Sequence, residues 1–314
     1  MVSMHMKIIS SGPLTTIQDN GRFGFMEYGI GESGAMDKSS YQKANALVGN
    51  IHGEAVLEAT LAGPTIEFDG DTLIAFMGAD MPACIDNVVM ERGQAYRVKK
   101  GQTVSFGIAT NGVRAYIAFA GGISVPEIMG SRSTNLKCML GGLDGRKIKV
   151  EDVIALHGFD YPENKISKLL EQKIPPENYD ANIQVRVILG PQEEAFTSVG
   201  IRTFLETQYT VSNDSDRMGI RLMGEKIEGK GDMDIVSDGI TFGSIQVTSA
   251  GLPIILMADH QTTGGYAKIA TVIRDDLPCL AQARPGDKVS FKKVTIKSLC
   301  KKKHILKRLF ESNG

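Results

Sequence analysis

Apolar and polar positions alternate with a period of two in short segments along most of the chain. Thr65–Phe68, Thr103–Phe106, Arg114–Phe119, Gln184–Leu189, Ser244–Val247 and Lys288–Phe291 all show this pattern between glycine-rich turns. Such segments predict antiparallel strands with one face buried. Helical spacing is scarce. Tyr41, Ala44, Leu47 and Val48 fall on one face of a helix over 37–48, with Asp37 placed to cap its start and Gly49 to end it. Ser124–Glu127 has the form of a capping box and predicts a single turn.

Two stretches follow one plan. Leu73–Asp80, then Lys100–Phe106, parallels Ile254–Asp259, then Pro285–Phe291: a buried strand running toward Asp, then a glycine-led closing strand. The repeat predicts two related β lobes. Between them Pro162, Pro175 and Pro176 stand among Asn, Glu and Lys, although Ile166, Leu169 and Leu170 share one short helical face. The expected organisation is therefore an N-terminal lobe over 1–160, an interlobe linker over 161–182, a C-terminal lobe over 183–291 and a basic tail over 292–314. In the tail, Ile305, Leu306, Leu309 and Phe310 lie among lysines as on an amphipathic helix.

Composition narrows the function classes. The 314 residues carry 35 glycines, 42% apolar residues and a formal charge of −1. This is a soluble-type chain with no global attraction to nucleic acid or anionic membrane. No signal sequence or span-length apolar run appears. Cysteines 84, 138, 279 and 300 are scattered and the five histidines lack ligand spacing, so no metal is expected. Reduced thiols and a cytoplasmic location are the simplest reading. There is no phosphate-binding loop, since Gly219–Lys226 places Glu225 where the lysine belongs and reads instead as strand and turn. No Met-Lys-Met tripeptide offers a biotin attachment point, so any biotin is carried on another chain.

The densest polar chemistry lies at 259–268, where an apolar run ends in Asp259, His260, Gln261 and Thr262, then Gly264, Gly265, Tyr266 and Lys268. The two glycines suit a positive φ or a close backbone approach. Arg217 and Lys268 are the cations suited to holding a developing oxyanion, with Gln261, Thr262, Tyr266 and the glycine N–H groups as further contacts. Arg217 fits equally an ion pair with Asp216 or Asp214. Asp80, Asp259 and Asp37 are candidate bases or amine ligands, Asp37 also fitting as a helix cap. His260 and Asp259, adjacent on a strand, point to opposite faces and make no dyad. Arg132 and Arg22 are candidate clamps for a carboxylate or phosphate, or pins for the fold. Arg217→Ala and Gln261→Ala are expected to lose activity while keeping near-normal stability.

Five blocks in order carry a resemblance over nearly the whole chain: Gly12–Arg22, Ser33–Asp37, Gly130–Thr134, Ser215–Gly219 and His260–Tyr266. Together they resemble the biotin-dependent carboxyltransferase family, in particular the group formed by the C subunits of bacterial 5-oxoprolinases, also known as allophanate hydrolase subunit 2. The resemblance implies a mainly β fold of two cyclophilin-like antiparallel β-barrel lobes with few short helices. It also implies a role in opening 5-oxoproline to L-glutamate, within a hetero-oligomer whose other members resemble the B and A subunits of 5-oxoprolinase. ATP would be used by the complex, at a site the sequence does not locate. The same family admits two other roles, the carboxyltransferase part of a urea carboxylase and a non-catalytic regulator that binds a sensor-kinase inhibitor.

Overall fold

The computed structural model describes residues 4–50, 53–231 and 233–299. They are mainly β and form two compact units, one of residues up to 180 together with 281–284, the other of 181–280 and the residues from 285 onward. Helix Glu163–Glu171, inside the stretch read as a linker, belongs to the first unit and buries Leu169 there. The tail positions Ile305, Leu306, Leu309 and Phe310 lie outside the described residues.

In the first unit a six-stranded and a five-stranded sheet enclose one apolar core that includes Met6, Ile8, Leu57, Phe76, Val104 and Phe119. Strand Thr72–Asp80 is buried along nearly its whole length because a second apolar cluster covers its other side. That cluster is supplied by Tyr41, Ala44, Leu47 and Val48, the face read from the sequence, on and just past helix Lys38–Leu47. Asp37 caps this helix, accepting from the Ser40 amide at 2.9 Å. Gly49 follows it at φ +74°, where an added Cβ would lie 2.9 Å from Leu169.

The second unit closes into a seven-stranded barrel. Around it run Asn182–Leu189, Lys268–Val272, Ser244–Val247, Pro253–Leu256, Gly219–Met223, Tyr209–Val211 and Lys288–Lys293. Neighbours are antiparallel except at the seam, where Asn182–Leu189 and Lys288–Lys293 pair in parallel. Inside, Phe291 stacks on Phe204 of helix Ser198–Glu206 with centroids 4.3 Å apart.

Two local expectations change. Ser124–Glu127 forms no helical turn, because Ser124 donates its amide to Ala155 and Ile123 bridges Leu156, which draws the segment to a sheet edge. Ser244–Val247 is buried at all four positions instead of alternating, so Ser244 and Gln246 are polar residues within the barrel unit's interior.

Candidate active site

The predicted site residues divide between the units. Arg217, Asp259, Gln261, Thr262, Gly264, Gly265, Tyr266 and Lys268 belong to the second, and Asp37, Asp80 and Arg132 to the first.

Arg217 stands in the turn before strand Gly219–Met223. Its neighbour Asp216 is occupied locally, accepting from the Met218 and Gly219 amides at 2.7 and 3.1 Å. The guanidinium instead forks onto Asp259, with Nε to Oδ2 at 2.8 Å and Nη2 to Oδ1 at 3.1 Å. Backbone bonds extend the strand pairing past its ends and set this register: Met257 donates to Met218, and Asp259 to Arg217. Both side chains are 5–6% exposed. Removing one partner from such a buried fork strands the other charge, at a cost of about 3–5 kcal/mol. From this geometry a loss of stability in Arg217→Ala is the expectation, in place of near-normal stability. His260 is buried against the Gln261 carbonyl, apart from the Asp259 carboxylate that Arg217 occupies.

Past Asp259 the chain builds a ribbon in place of a turn. Thr263–Tyr266 pairs antiparallel with Asp234–Gly239, so Gly264 and Gly265 are extended and neither has a positive φ. Close approach is what Gly264 provides, since an added Cβ would sit 2.5 Å from both Gln246 Nε2 and Ile240 Cδ1. Gln246 lies buried beneath and donates to the Tyr266 carbonyl at 3.2 Å. Gln261 is exposed, and Thr262 accepts from the Ile240 amide at 3.1 Å.

At the ribbon's far end Lys268 begins a barrel strand. Its side chain is 3% exposed, yet its Nζ reaches Asp238, which is 54% exposed, at 2.9 Å. Gln192 completes the cluster, donating to Asp238 at 3.1 Å and accepting from the Lys268 amide at 3.1 Å. The Lys268 ammonium holds the Asp238 carboxyl below its usual range, and the Gly239 amide adds to this. An ammonium has three donors. The bond to Asp238 uses one of them. The sequence reading missed Gln192, Asp238 and Gln246. Only Gln246 carried a local signal, as an amide inside a strand between two buried apolar residues.

In the first unit, Asp37 is fully buried and accepts from Ser40 N, Ser40 Oγ and Gln282 Nε2 at 2.6–2.9 Å. Burial pushes its carboxyl upward, partly offset by these bonds. Arg132 pairs with Glu127 at 3.5 Å, and its loop is tied to Asp19. That buried carboxylate accepts from the Gly21 and Arg132 amides and from the Ser131 and Ser133 hydroxyls. Arg22, also buried, donates to the Ile128 and Ser133 carbonyls and pins the same loop. Asp80 differs from the picture of a desolvated base: its side chain is 47% exposed, with Arg92 Nε at 3.4 Å. Among the described residues no group of three or more His, Cys, Asp or Glu could hold a metal ion, and no helix is long and apolar enough to cross a membrane.

A mainly β chain with a closed barrel and a polar ribbon at its edge matches a known class. The description "Carboxyltransferase domain, subdomain A and B" matches residues 28–293, and the chain belongs to that family. Within it, the chain is 36% identical to the C subunit of 5-oxoprolinase from Escherichia coli (strain K12), an alignment covering 98% of this chain and 96% of the relative. Urea amidolyase of Saccharomyces cerevisiae is 33% identical over 91% of this chain but only 16% of its own length. The crystal structure of Kluyveromyces lactis urea carboxylase superposes with a TM-score of 0.84 at 29% identity, covering 93% of this chain and 27% of that one.

Proposed function

We propose that the chain is the C subunit of an ATP-dependent 5-oxoprolinase, acting with proteins that resemble the B and A subunits of that enzyme. One observation carries this reading: the match to the 5-oxoprolinase C subunit covers 98% of this chain and 96% of the relative. The reaction adds water across the lactam C–N bond of 5-oxoproline to give L-glutamate, with ATP hydrolysis as the driving step. Attack of water on the lactam carbonyl carbon builds negative charge on its oxygen, and a preorganised ammonium stabilises that charge best where water is scarce. Lys268 supplies such a group. Asp238 and Gln192 hold it, and the ribbon from Gln261 to Tyr266 offers amide, hydroxyl and backbone contacts to a small polar substrate. Arg217 and Asp259 brace the chain that leads into this ribbon. On this reading ATP is used by the complex, at a site not yet located among its subunits, and any biotin is carried on another chain.

A second reading, as carboxyltransferase component of a urea carboxylase, is favoured by the identity to urea amidolyase and by the superposition on urea carboxylase. Reconstitution separates the two. The chain, coexpressed with A-like and B-like subunits, should co-purify with them and form glutamate from 5-oxoproline in an ATP-dependent assay. Urea carboxylation with a biotin carboxylase and biotin carrier, without glutamate formation, would instead establish the second reading. Binding to a kinase inhibitor with neither activity would make the chain a regulator.

A further inference from the structure

The first unit contains a cavity of about 770 Å³ whose lining residues all come from 80–94 and 173–176. Its volume lies within the roughly 300–1,000 Å³ of pockets that hold small organic ligands. One wall is the hairpin of Ala83–Ile85 and Val88–Met90. The other is the 173–176 segment, tied back by the Ile174 amide to the Gly93 carbonyl at 2.8 Å and by the bridge between Gln94 and Lys173. Gly93 permits this closeness, since at its φ of +83° a Cβ would lie 2.1 Å from the Ile174 oxygen. The cavity is thus formed by backbone hydrogen bonds before any ligand arrives.

Its walls are mostly apolar, with Met81 and Met90 buried and Val89 exposed. Four charged side chains line it. Exposed Glu91 and Lys173 are opposite in sign and together add no net charge to the wall. Arg92 is 8% exposed and spends Nη1 on the Gly78 and Glu177 carbonyls, at 2.7 and 3.2 Å. Asp80, 47% exposed, meets Arg92 only through the 3.4 Å approach of Nε. A carboxylate offers about four lone-pair sites. Asp80 is therefore an accessible acceptor with capacity left, backed by a cation that is turned inward.

We propose that this cavity is a binding site for an amphipathic amine, its ammonium received by Asp80 and its apolar body lying against Met81, Val89, Met90, Ile174 and Pro175. Flexible thioethers suit an aromatic or aliphatic body. The proposal stands apart from the 5-oxoprolinase reading, because it concerns ligand binding by the chain alone.

Isothermal titration of the purified full chain with phenylbutylamine, phenylbutanol and phenylbutyrate tests it, since the three share one body and differ in the head. The amine should bind at least about tenfold more tightly than the carboxylate, as a charge-assisted hydrogen bond requires. Asp80→Asn should erase that preference while leaving the alcohol's affinity unchanged, and Val89→Trp should block all three. Comparison of the three heads on the parent chain needs no variant. Equal or tighter binding of the carboxylate, an undiminished preference in Asp80→Asn, or no saturable binding up to about 10 mM would each overturn the proposal.

Discussion

Two ion pairs of the second unit differ in one respect, the access of water to the carboxylate. In Arg217–Asp259 both partners are almost fully buried and the guanidinium forks onto both carboxylate oxygens. In Lys268–Asp238 the cation is as buried, but the carboxylate is more than half exposed and makes a single contact with it. A closed pair has its charge neutralised on the spot and resists loss of either member. An open pair holds an ammonium in a low-dielectric wall while leaving its remaining protons to a third group. Residue type alone does not distinguish Arg217 from Lys268 as an oxyanion ligand, and the exposure of the partner does.

The sharpest way to break this contrast is Arg217→Ala, expected to lose about 3–5 kcal/mol in chemical denaturation. The double variant Arg217→Met/Asp259→Leu should recover most of the loss, since apolar replacement of both partners leaves no stranded charge. Should the single variant unfold with the parent, the fork contributes little and Arg217 returns as a substrate ligand. Lys268→Met comes next. Glutamate formation by the reconstituted complex should fall about a hundredfold or more, with a melting temperature close to the parent's because the remaining Asp238 is open to water. A large drop in melting temperature would make this pair structural too.

Gly264→Ala tests the ground beneath the ribbon. Its Cβ would fall 2.5 Å from both Gln246 and Ile240, so both side chains must shift, at a cost of about 1–3 kcal/mol in the melting curve. A neutral outcome would mean that Gln246 moves freely and does not define the ribbon's position. The smallest effect concerns Asp37, a buried carboxylate whose hydrogen bonds come from Ser40 and Gln282, both uncharged. Burial raises its folded value above the ordinary 3.8. Its contribution is therefore complete below pH 3.8 and is lost as pH rises through the raised folded value. Asp37→Asn cannot ionise and should lack that loss, while its side-chain oxygen still caps the helix. Denaturation across this pH window should show the parent losing stability relative to the variant as pH rises; parallel curves would refute the assignment.

Local periodicity made much of the β architecture legible. The alternating segments Thr65–Phe68 and Thr103–Phe106 coincide with strands, and Tyr41, Ala44, Leu47 and Val48 mark the face that covers strand Thr72–Asp80. These patterns reflect interactions within a few residues, where the pleat or the helical turn decides which side chains share a face. Where a segment meets a distant partner the reading failed. Ser124–Glu127 has a helix-start composition, yet one backbone bond to Ala155 outweighs a turn that has no following helix to sustain it.

The sequence by itself determined that 259–268 concentrates polar chemistry after an apolar strand, that Asp37 suits a helix start, and that the chain resembles one family through five ordered blocks. Tertiary structure alone decided that Asp259 belongs to Arg217 across 42 positions and Asp238 to Lys268 across 30, and that Gln246 lies under Gly264. The physical reason is the barrel. Its closure sets which distant strands are neighbours, and each neighbour sets how much water reaches a charge. Solvent access, which no local pattern encodes, is what closes one of these pairs and leaves the other open on its carboxylate side.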